Sequence, residues 1–120
     1  LAKCECKIDD ILVSFDGSVG KVAFGLEGIY SSGIRKIELK DENLNISKLL
    51  LLMIFKSQEI QNTIKKYATG SNILHASESI KYLFVPYNKQ IFELYNQQTK
   101  GIFEMLIQNQ LQIQKLEKLR

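Results

Sequence analysis

The sequence predicts an α+β fold: a small, twisted and mostly antiparallel sheet with packed helices, followed by a long C-terminal coiled-coil helix. Apolar runs separated by glycine-bearing turns occupy residues 8–39, a pattern typical of strands. A helical period follows over residues 46–67. The 32 residues after Asn88 contain no proline and only one glycine. We therefore expect a globular domain over residues 1–87 and a separate helix over residues 88–120.

The first strands are expected to form a hairpin. A strand over residues 11–15 and another over residues 21–26 flank a tight turn at residues 16–18, because glycine tolerates the positive φ of hairpin turns. The alternative for Gly17-Ser-Val-Gly-Lys21 is a phosphate-binding loop. That loop needs four residues between its glycines and a Ser or Thr after the lysine. Here the gap is two residues and Val22 follows the lysine, so the spacing favours the hairpin.

The middle of the chain changes from strand to helix. Alternating residues over 34–39 predict a further strand. Asn45 is the expected N-cap of a helix or helix pair over residues 46–67 that packs on the sheet. Residues 68–79 are small and polar, which predicts a loop or short turn rather than core. A short strand over residues 82–85 should end at the only proline of the chain.

The C-terminal segment is expected to be one helix with Asn88 as its N-cap, about 48 Å long at 1.5 Å per residue. Its apolar residues recur close to every 3.5 residues, and Asn109 lies on the same stripe, where a polar residue fixes register. A core helix is the alternative, but the preceding domain is too small to cover so long a stripe. We expect a helix interface formed by Ile91, Tyr95, Ile102, Met105, Leu106, Asn109, Ile113 and Leu116.

Composition excludes several classes of protein. The chain has 120 residues, a net charge of +3, 45% hydrophobic and 24% charged residues, as expected for one globular domain. The longest apolar run, over residues 49–55, is far below the roughly 20 residues of a membrane span. The charged residues within 1–10 exclude a secretory signal there. We therefore expect a cytoplasmic protein without a membrane partner.

The residues that carry chemistry do not form a catalytic or metal-binding pattern. Cys4 and Cys6 are too close in sequence for a good disulfide, and a metal site needs about four ligands, whereas the other soft ligand is the single histidine, His75. We expect reduced thiols and no metal. One histidine and the absence of a G-x-S-x-G motif leave no base to activate a nucleophile. The sequence therefore predicts a protein that is not an enzyme.

Five short segments carry a resemblance to a known family. They are Asp10-Ile-Leu-Val-Ser14, Gly17-Ser-Val-Gly-Lys21, Ser31-Ser-Gly33, Ile64-Lys-Lys-Tyr-Ala-Thr-Gly-Ser71 with His75, and Val85-Pro86 leading into the last helix. Together, in this order and spacing, they resemble the specificity subunit of type I restriction-modification systems. The similarity covers the closing part of one target-recognition domain and the conserved helix behind it.

The resemblance implies a module that recognises a DNA sequence and performs no chemistry. It would direct a methyltransferase subunit and a restriction subunit to double-stranded DNA. It implies no cofactor on this chain, with S-adenosylmethionine expected on the methyltransferase subunit. Family recognition domains are longer on the amino side, and the sequence begins at Leu1 without methionine. We therefore expect a fragment or half-subunit that recognises at most half of a bipartite site.

The DNA contacts implied by this resemblance come from local basic clusters and polar loops. Lys65 and Lys66 are expected near phosphates, while Arg35 or the serine loops approach bases. An ordinary solvated surface is the alternative for each lysine, and His75 either caps a turn or contacts DNA. The full set of candidates is Ser18, Lys21, Ser31, Ser32, Arg35, Lys36, Lys65, Lys66, Ser71, Asn72 and His75.

The C-terminal helix supports a rival function, an assembly module that binds no DNA sequence specifically. In a complete specificity subunit the resemblance implies an antiparallel pairing of two conserved helices. A chain with one such helix should satisfy the same stripe by pairing with a second copy across a two-fold axis. The sequence therefore predicts a possible homodimer, and it leaves the target bases undetermined.

Overall fold

The computed structural model describes residues 4–15, 18–31, 33–67 and 79–119. The predicted α+β class is confirmed, because these residues contain small antiparallel sheets and α-helices. The strands are β1 (Glu5–Cys6), β2 (Ile11–Ser14), β3 (Val22–Ala23), β4 (Gly28–Ile29) and β5 (Ile34–Ile37). The α-helices of the described residues are α1 (Lys48–Lys56), α2 (Gln58–Lys66), α3 (Lys89–Gln98) and α4 (Ile102–Lys118).

The main sheet has three antiparallel strands in the order β3-β2-β5. The central strand β2 is buried at Ile11, Leu12 and Val13, because β3 and β5 flank it and side chains of α1 and α2 pack against it. Leu12 lies opposite Ala23 on one side and opposite Lys36 on the other. A second, two-stranded antiparallel sheet pairs β1 with β4.

The predicted hairpin is present, since β2 and β3 pair antiparallel. The Ser14 N–H donates to the Lys21 carbonyl (2.9 Å) and the Gly20 N–H donates to the Ser14 carbonyl (2.8 Å). The strand expected over residues 21–26 is shorter than predicted. The backbone N–H of Gly25 instead donates to the carbonyl of Ile8 (3.0 Å). Residues 16 and 17 of the predicted turn lie outside the described residues.

The helix predicted over residues 46–67 is a pair that divides at Ser57. Its backbone is extended (φ −64°, ψ 151°), and its side chain serves both helices. The hydroxyl donates to the Ile54 carbonyl (2.6 Å) at the end of α1 and accepts from the Ile60 N–H (3.5 Å) at the start of α2. Serine is a favoured N-cap, so one residue ends the first helix and begins the second.

The predicted N-cap Asn45 is wrong. Ser47 caps α1, and its hydroxyl accepts from the Leu50 N–H (3.1 Å). Asn45 has a different role: its backbone N–H donates to the Tyr87 hydroxyl (3.3 Å), and its carbonyl and side-chain oxygens accept from Asn96 (3.0 Å each). These bonds connect the start of α1 to helix α3, so tertiary contacts occupy the residue that the local pattern favoured.

The strand predicted over residues 82–85 is also wrong. Residues Ser79–Tyr82 form a 3₁₀ turn, and the Leu83 N–H donates to the Ile80 carbonyl (3.4 Å). The turn directs Leu83 onto the core while Phe84 stays 80% exposed. Ser79, expected in a polar loop, is buried. The rest of that loop, residues 68–78, lies outside the described residues.

The single helix predicted over residues 88–120 is wrong, because α3 ends at Gln98 and α4 begins at Ile102. The Thr99 N–H and hydroxyl both bind the Tyr95 carbonyl, at 3.0 and 2.7 Å. Gly101 then takes φ +88°, a left-handed conformation that glycine adopts without a steric penalty. The predicted N-cap Asn88 is confirmed, since its side chain accepts from the Ile91 N–H (3.0 Å). Helix α4 is therefore about 25 Å long, and the described residues show two shorter helices instead of the expected long coiled coil.

Two clusters of buried side chains form the core. The first core cluster joins β2 to α2 through Val13, Phe15, Ile60 and Ile64. The second core cluster joins β2 to α1. It is formed by Ile11, Leu49, Leu51 and Leu52, and Tyr95, Phe103 and Leu106 of the C-terminal helices pack against it. The C-terminal helices are therefore packed on the body of the protein along one side.

Candidate functional site

The hairpin and strand candidates lie on the surface. Ser18 and Lys21 are exposed at the β2–β3 end, Ser31 is exposed before β5, and Arg35 is exposed on β5 opposite Val13. The carbonyl of Ser18 accepts from the Ser14 hydroxyl, which also accepts from the Lys21 N–H (3.1 Å). These bonds fix the backbone on both sides of the hairpin end and leave the Lys21 side chain in solvent.

Four of the predicted DNA-binding residues, Ser32, Ser71, Asn72 and His75, lie outside the described residues.

The ammonium group of Lys36 is engaged in several contacts within the protein. It lies 3.2 Å from the Glu38 carboxylate and 3.9 Å from Asp10, and it donates to the Glu5 carbonyl (3.2 Å). The hydrogen bond to Glu38 is the main cause that raises the pKa of Lys36, with Asp10 adding to it. Lys36 therefore holds β1, β5 and the β1–β2 turn together.

Asp10 is the centre of this ionic network. Its carboxylate accepts from the Lys7 backbone N–H (2.7 Å) and lies 3.5 Å from the Lys48 ammonium. A cavity of about 350 Å³ opens beside the network. Three lysines and three acidic residues line it, together with apolar side chains. Because these charges balance, the cavity does not favour an anion or a cation.

Lys65 and Lys66 occupy the last turn of α2, and both side chains are exposed. The Lys66 ammonium lies over the ring of Tyr67, 5.7 Å from its centroid. The Tyr67 ring stacks on Tyr82 of the 3₁₀ turn, with centroids 4.9 Å apart and planes 3° from parallel. The end of α2 and the 3₁₀ turn therefore form one continuous surface.

The hairpin candidates lie next to α2. The Gln61 side-chain amide donates to the Gly20 carbonyl and the Phe55 carbonyl, both at 2.7 Å. Gly20 precedes Lys21, and Lys65 lies one turn after Gln61 on the same face of α2. The structure thus brings the hairpin candidates and the helix candidates onto neighbouring elements, while Lys36 is held apart in its ionic network.

The candidates named from the sequence did not include Lys81 and Tyr82, which lie on the 3₁₀ turn that packs against the end of α2. The dipeptide Lys-Tyr occurs twice in the sequence, at residues 66–67 and 81–82. Both tyrosines of these dipeptides are the ones that stack.

The predicted helix interface divides into two groups. Tyr95 and Leu106 pack against the second core cluster of their own chain. The remaining six face solvent, with exposed fractions such as 66% at Met105 and 65% at Leu116. We call the exposed apolar residues of these helices the C-terminal apolar surface. They are Ile91, Leu94, Ile102, Met105, Ile113 and Leu116.

The described residues offer no constellation for metal chemistry, since no three His, Cys, Asp or Glu side chains come together there. Cys4 and Cys6 are free thiols, and the Cys6 thiol donates to the Leu26 carbonyl (3.3 Å). No helix of the described ranges combines the length and apolar character needed to cross a bilayer.

Comparison with known families and proteins places the chain in a family. The model of the family described as type I restriction modification DNA specificity domain matches residues 2–116. The match includes both the sheet-and-helix body and most of α4. No curated protein matches the chain, and no solved structure matches it.

Proposed function

Since the chain belongs to the type I restriction modification DNA specificity domain family, we propose that it recognises a specific sequence in double-stranded DNA and performs no chemistry itself. The match over residues 2–116 is the observation that carries this proposal. In this role the chain directs a methyltransferase subunit and a restriction subunit of a type I complex to their target. S-adenosylmethionine then belongs to the methyltransferase subunit, and this chain needs no cofactor.

We assign base contacts and phosphate contacts to different residues of the described surface. Arg35 and the serine loops around Ser18 and Ser31 are assigned to base edges, because a guanidinium and hydroxyl groups carry directional hydrogen bonds. Lys21 and Lys65 are assigned to phosphates, where an ammonium acts as a point charge. Lys36 was also a DNA-contact candidate. Because its ammonium is engaged in the ionic network, we assign it to holding the strand β5 that carries Arg35, and not to a DNA contact of its own.

Residues 88–120 are assigned to assembly. The C-terminal apolar surface supports pairing with a second helix, since six large apolar side chains there remain in solvent. Burying each would contribute roughly 1.5 to 3 kcal/mol when burial is complete. We propose that a second copy of the chain supplies that helix across a two-fold axis. Two copies would then present two recognition surfaces to two half-sites.

The proposed function is tested by titrating the chain against labelled duplexes of randomised sequence and sequencing the bound fraction. We expect an enriched sequence motif that competes at least about tenfold better than unrelated duplex. Sequence-independent or absent binding, together with intact self-association, would instead support the assembly module without DNA recognition. An Arg35→Lys variant sharpens the result, because it keeps the charge and removes the bidentate geometry.

A further inference from the structure

The exposed apolar residues of α3 and α4 follow a repeat that runs through the bend between the two helices. The tripeptide Ile-Phe-Glu occurs at residues 91–93 and again at residues 102–104. The six residues of the C-terminal apolar surface form two series with a spacing of 11 residues: Ile91, Ile102 and Ile113, and Leu94, Met105 and Leu116. Eleven residues make about three turns of an α-helix. The apolar surface therefore becomes a single stripe when α3 and α4 form one continuous helix.

The bend itself is open to this change. Gly101 has φ +88°, and a Cβ there would meet nothing within 4 Å, so no neighbouring group encloses it. Helix α4 begins without a capping side chain, whereas a continuous helix gives the same backbone N–H groups intrahelical acceptors. Straightening therefore needs new backbone angles at residues 99–101 and meets no steric obstacle at Gly101.

Contacts of α4 with the body hold the bent form in a single chain. The Phe103 and Phe24 rings have centroids 5.6 Å apart, and Leu106 packs against the second core cluster. The Gln114 amide donates to the Gly25 carbonyl (3.1 Å). All three α4 residues lie on one side of the helix. Since a second copy carries an identical body, the same side of α4 fits there through the same contacts.

Helix α3 is docked on the body by bonds of its own. The Asn96 amide donates to the carbonyl and side-chain oxygens of Asn45, each at 3.0 Å. Tyr95 packs against the second core cluster. The Asn96 bonds do not involve α4, so α3 keeps its place when α4 leaves.

We propose that two copies of the chain exchange α4. Residues 99–101 straighten, α3 and α4 become a continuous helix of about 45 Å, and α4 of each chain packs on the body of the other. Each body keeps the contacts that it has in the single chain, and the apolar stripes of the two antiparallel helices face each other at the two-fold axis. This inference rests on the proposed pairing of two copies and specifies how they pair.

Two substitutions at Gly101 test the bend through the dimerisation constant of the full chain, measured by sedimentation equilibrium. Gly101→Ala disfavours the left-handed conformation and favours a helix, whereas Gly101→Asn tolerates the left-handed conformation better. Exchange predicts that dimerisation is at least about tenfold stronger in Gly101→Ala than in Gly101→Asn, because each dimer straightens two bends. Equal constants would overturn the exchange, since a dimer without exchange keeps both bends.

A mixture of two variants tests the exchange directly. Gly25→Ala places a Cβ 2.5 Å from the Gln110 Cγ, and Gln110→Ala in the second chain removes that Cγ. With exchange, the mixed dimer puts the shortened side chain against the new Cβ and leaves the other body unsubstituted at both positions. The chains, one isotopically labelled, are unfolded together, refolded and measured by native mass spectrometry. We expect mixed dimers at least about tenfold above the statistical proportion.

Gln108→Ala, at an exposed position of α4, replaces Gln110→Ala in the control mixture and should give the statistical proportion. A statistical proportion in both mixtures would overturn the exchange and leave the homodimer and DNA recognition intact. A chain that stays monomeric would overturn the exchange together with the homodimer, while the duplex titration decides DNA recognition separately. If Gly25→Ala does not refold, the two Gly101 variants decide the matter.

Discussion

The sheet-and-helix body and the C-terminal helices satisfy their apolar residues in different ways. Helix α1 buries four consecutive leucines, from Leu49 to Leu52, whereas no residue of α3 or α4 is fully buried. The body therefore completes its core within the chain. The C-terminal helices pack one side against that core and leave the other side exposed. The first arrangement provides stability, and the second leaves the apolar surface that we propose for assembly.

The largest expected effect lies in the body. Ile64 is fully buried in the first core cluster with Val13, Phe15 and Ile60. Ile64→Ala should lower the free energy of unfolding by about 2 to 5 kcal/mol, because it removes buried methylene groups and leaves a cavity. Denaturant unfolding measures the loss. Ile91→Ala is the control on the C-terminal apolar surface, where the side chain is 60% exposed. An equal loss of unfolding free energy in that variant would show that the exposed side of the C-terminal helices stabilises the fold as much as the core of the body does.

The second effect concerns association. Ile102→Asp combined with Ile113→Asp places two charges on the C-terminal apolar surface and should weaken self-association about 100-fold, with little change in unfolding. Sedimentation at micromolar concentration provides the measurement. Gln108→Asp with Gln112→Asp adds the same charge at exposed polar positions of α4 and should leave association intact. A monomeric unsubstituted chain, or a dimer insensitive to the isoleucine variant, would show that the helices serve another partner.

The third effect concerns the packing of α4 against the body at Gly25. A Cβ on Gly25 would lie 2.5 Å from the Gln110 Cγ, and its φ is +75°. The Gln114 amide also donates to the Gly25 carbonyl (3.1 Å), so the backbone approaches α4 closely. Gly25→Ala should cost about 2 kcal/mol from strain and overpacking. Hydrogen exchange should show lost protection over α4 and retained protection in β2.

Gly101→Ala is the matched control for that substitution. Its φ of +88° is similar, but a Cβ there would meet nothing within 4 Å. It should cost only the backbone strain, about 1 kcal/mol. If both variants were equally destabilised, the close approach of Gln110 to Gly25 would contribute nothing to the packing of α4.

Local patterns predicted the body well, because its strands and helices follow apolar periodicity that the core then uses. The central strand at Ile11–Ser14 and the helix pair around Ser57 both agree with that periodicity. The break before α4 was missed for a tertiary reason. A single glycine is tolerated in a helical pattern, and here bonds from Asn96 to Asn45 and from Gln114 to Gly25 hold the two helices separately on the body.

The candidate site shows the same limit. The lysines at the end of α2 were named as DNA-contact candidates from the sequence, because charge clusters are local. Lys81 was not among the candidates, because its place depends on a stack between Tyr67 and Tyr82, which are far apart in sequence. The pairing of Lys36 with Asp10 depends on the register that places Lys36 opposite Leu12. Contacts of this kind follow from strand register and helix docking rather than from residue type.

The smallest expected effect concerns the ionic network of the body. The hydrogen bond to Glu38 raises the pKa of Lys36 above its ordinary value of 10.5 in the folded chain. A raised folded pKa stabilises the protein below the unfolded pKa, and that contribution is lost as pH rises through the folded pKa. The chain should therefore lose stability above about pH 10.5, the ordinary value itself, and Lys36→Met should reduce that loss.

Urea unfolding midpoints between pH 9 and pH 11.5 measure this dependence. Glu38→Gln is the companion variant, because it removes the negative charge of the first partner while preserving the length of the side chain. It should reduce the loss of stability at alkaline pH only in part, since Asp10 remains 3.9 Å from the Lys36 ammonium. The change in the urea midpoint should be smaller in both variants than in Ile64→Ala, because ion pairs near the protein surface contribute little in water. A shift as large as that of Ile64→Ala would show that charge, rather than apolar burial, holds β5 on the body.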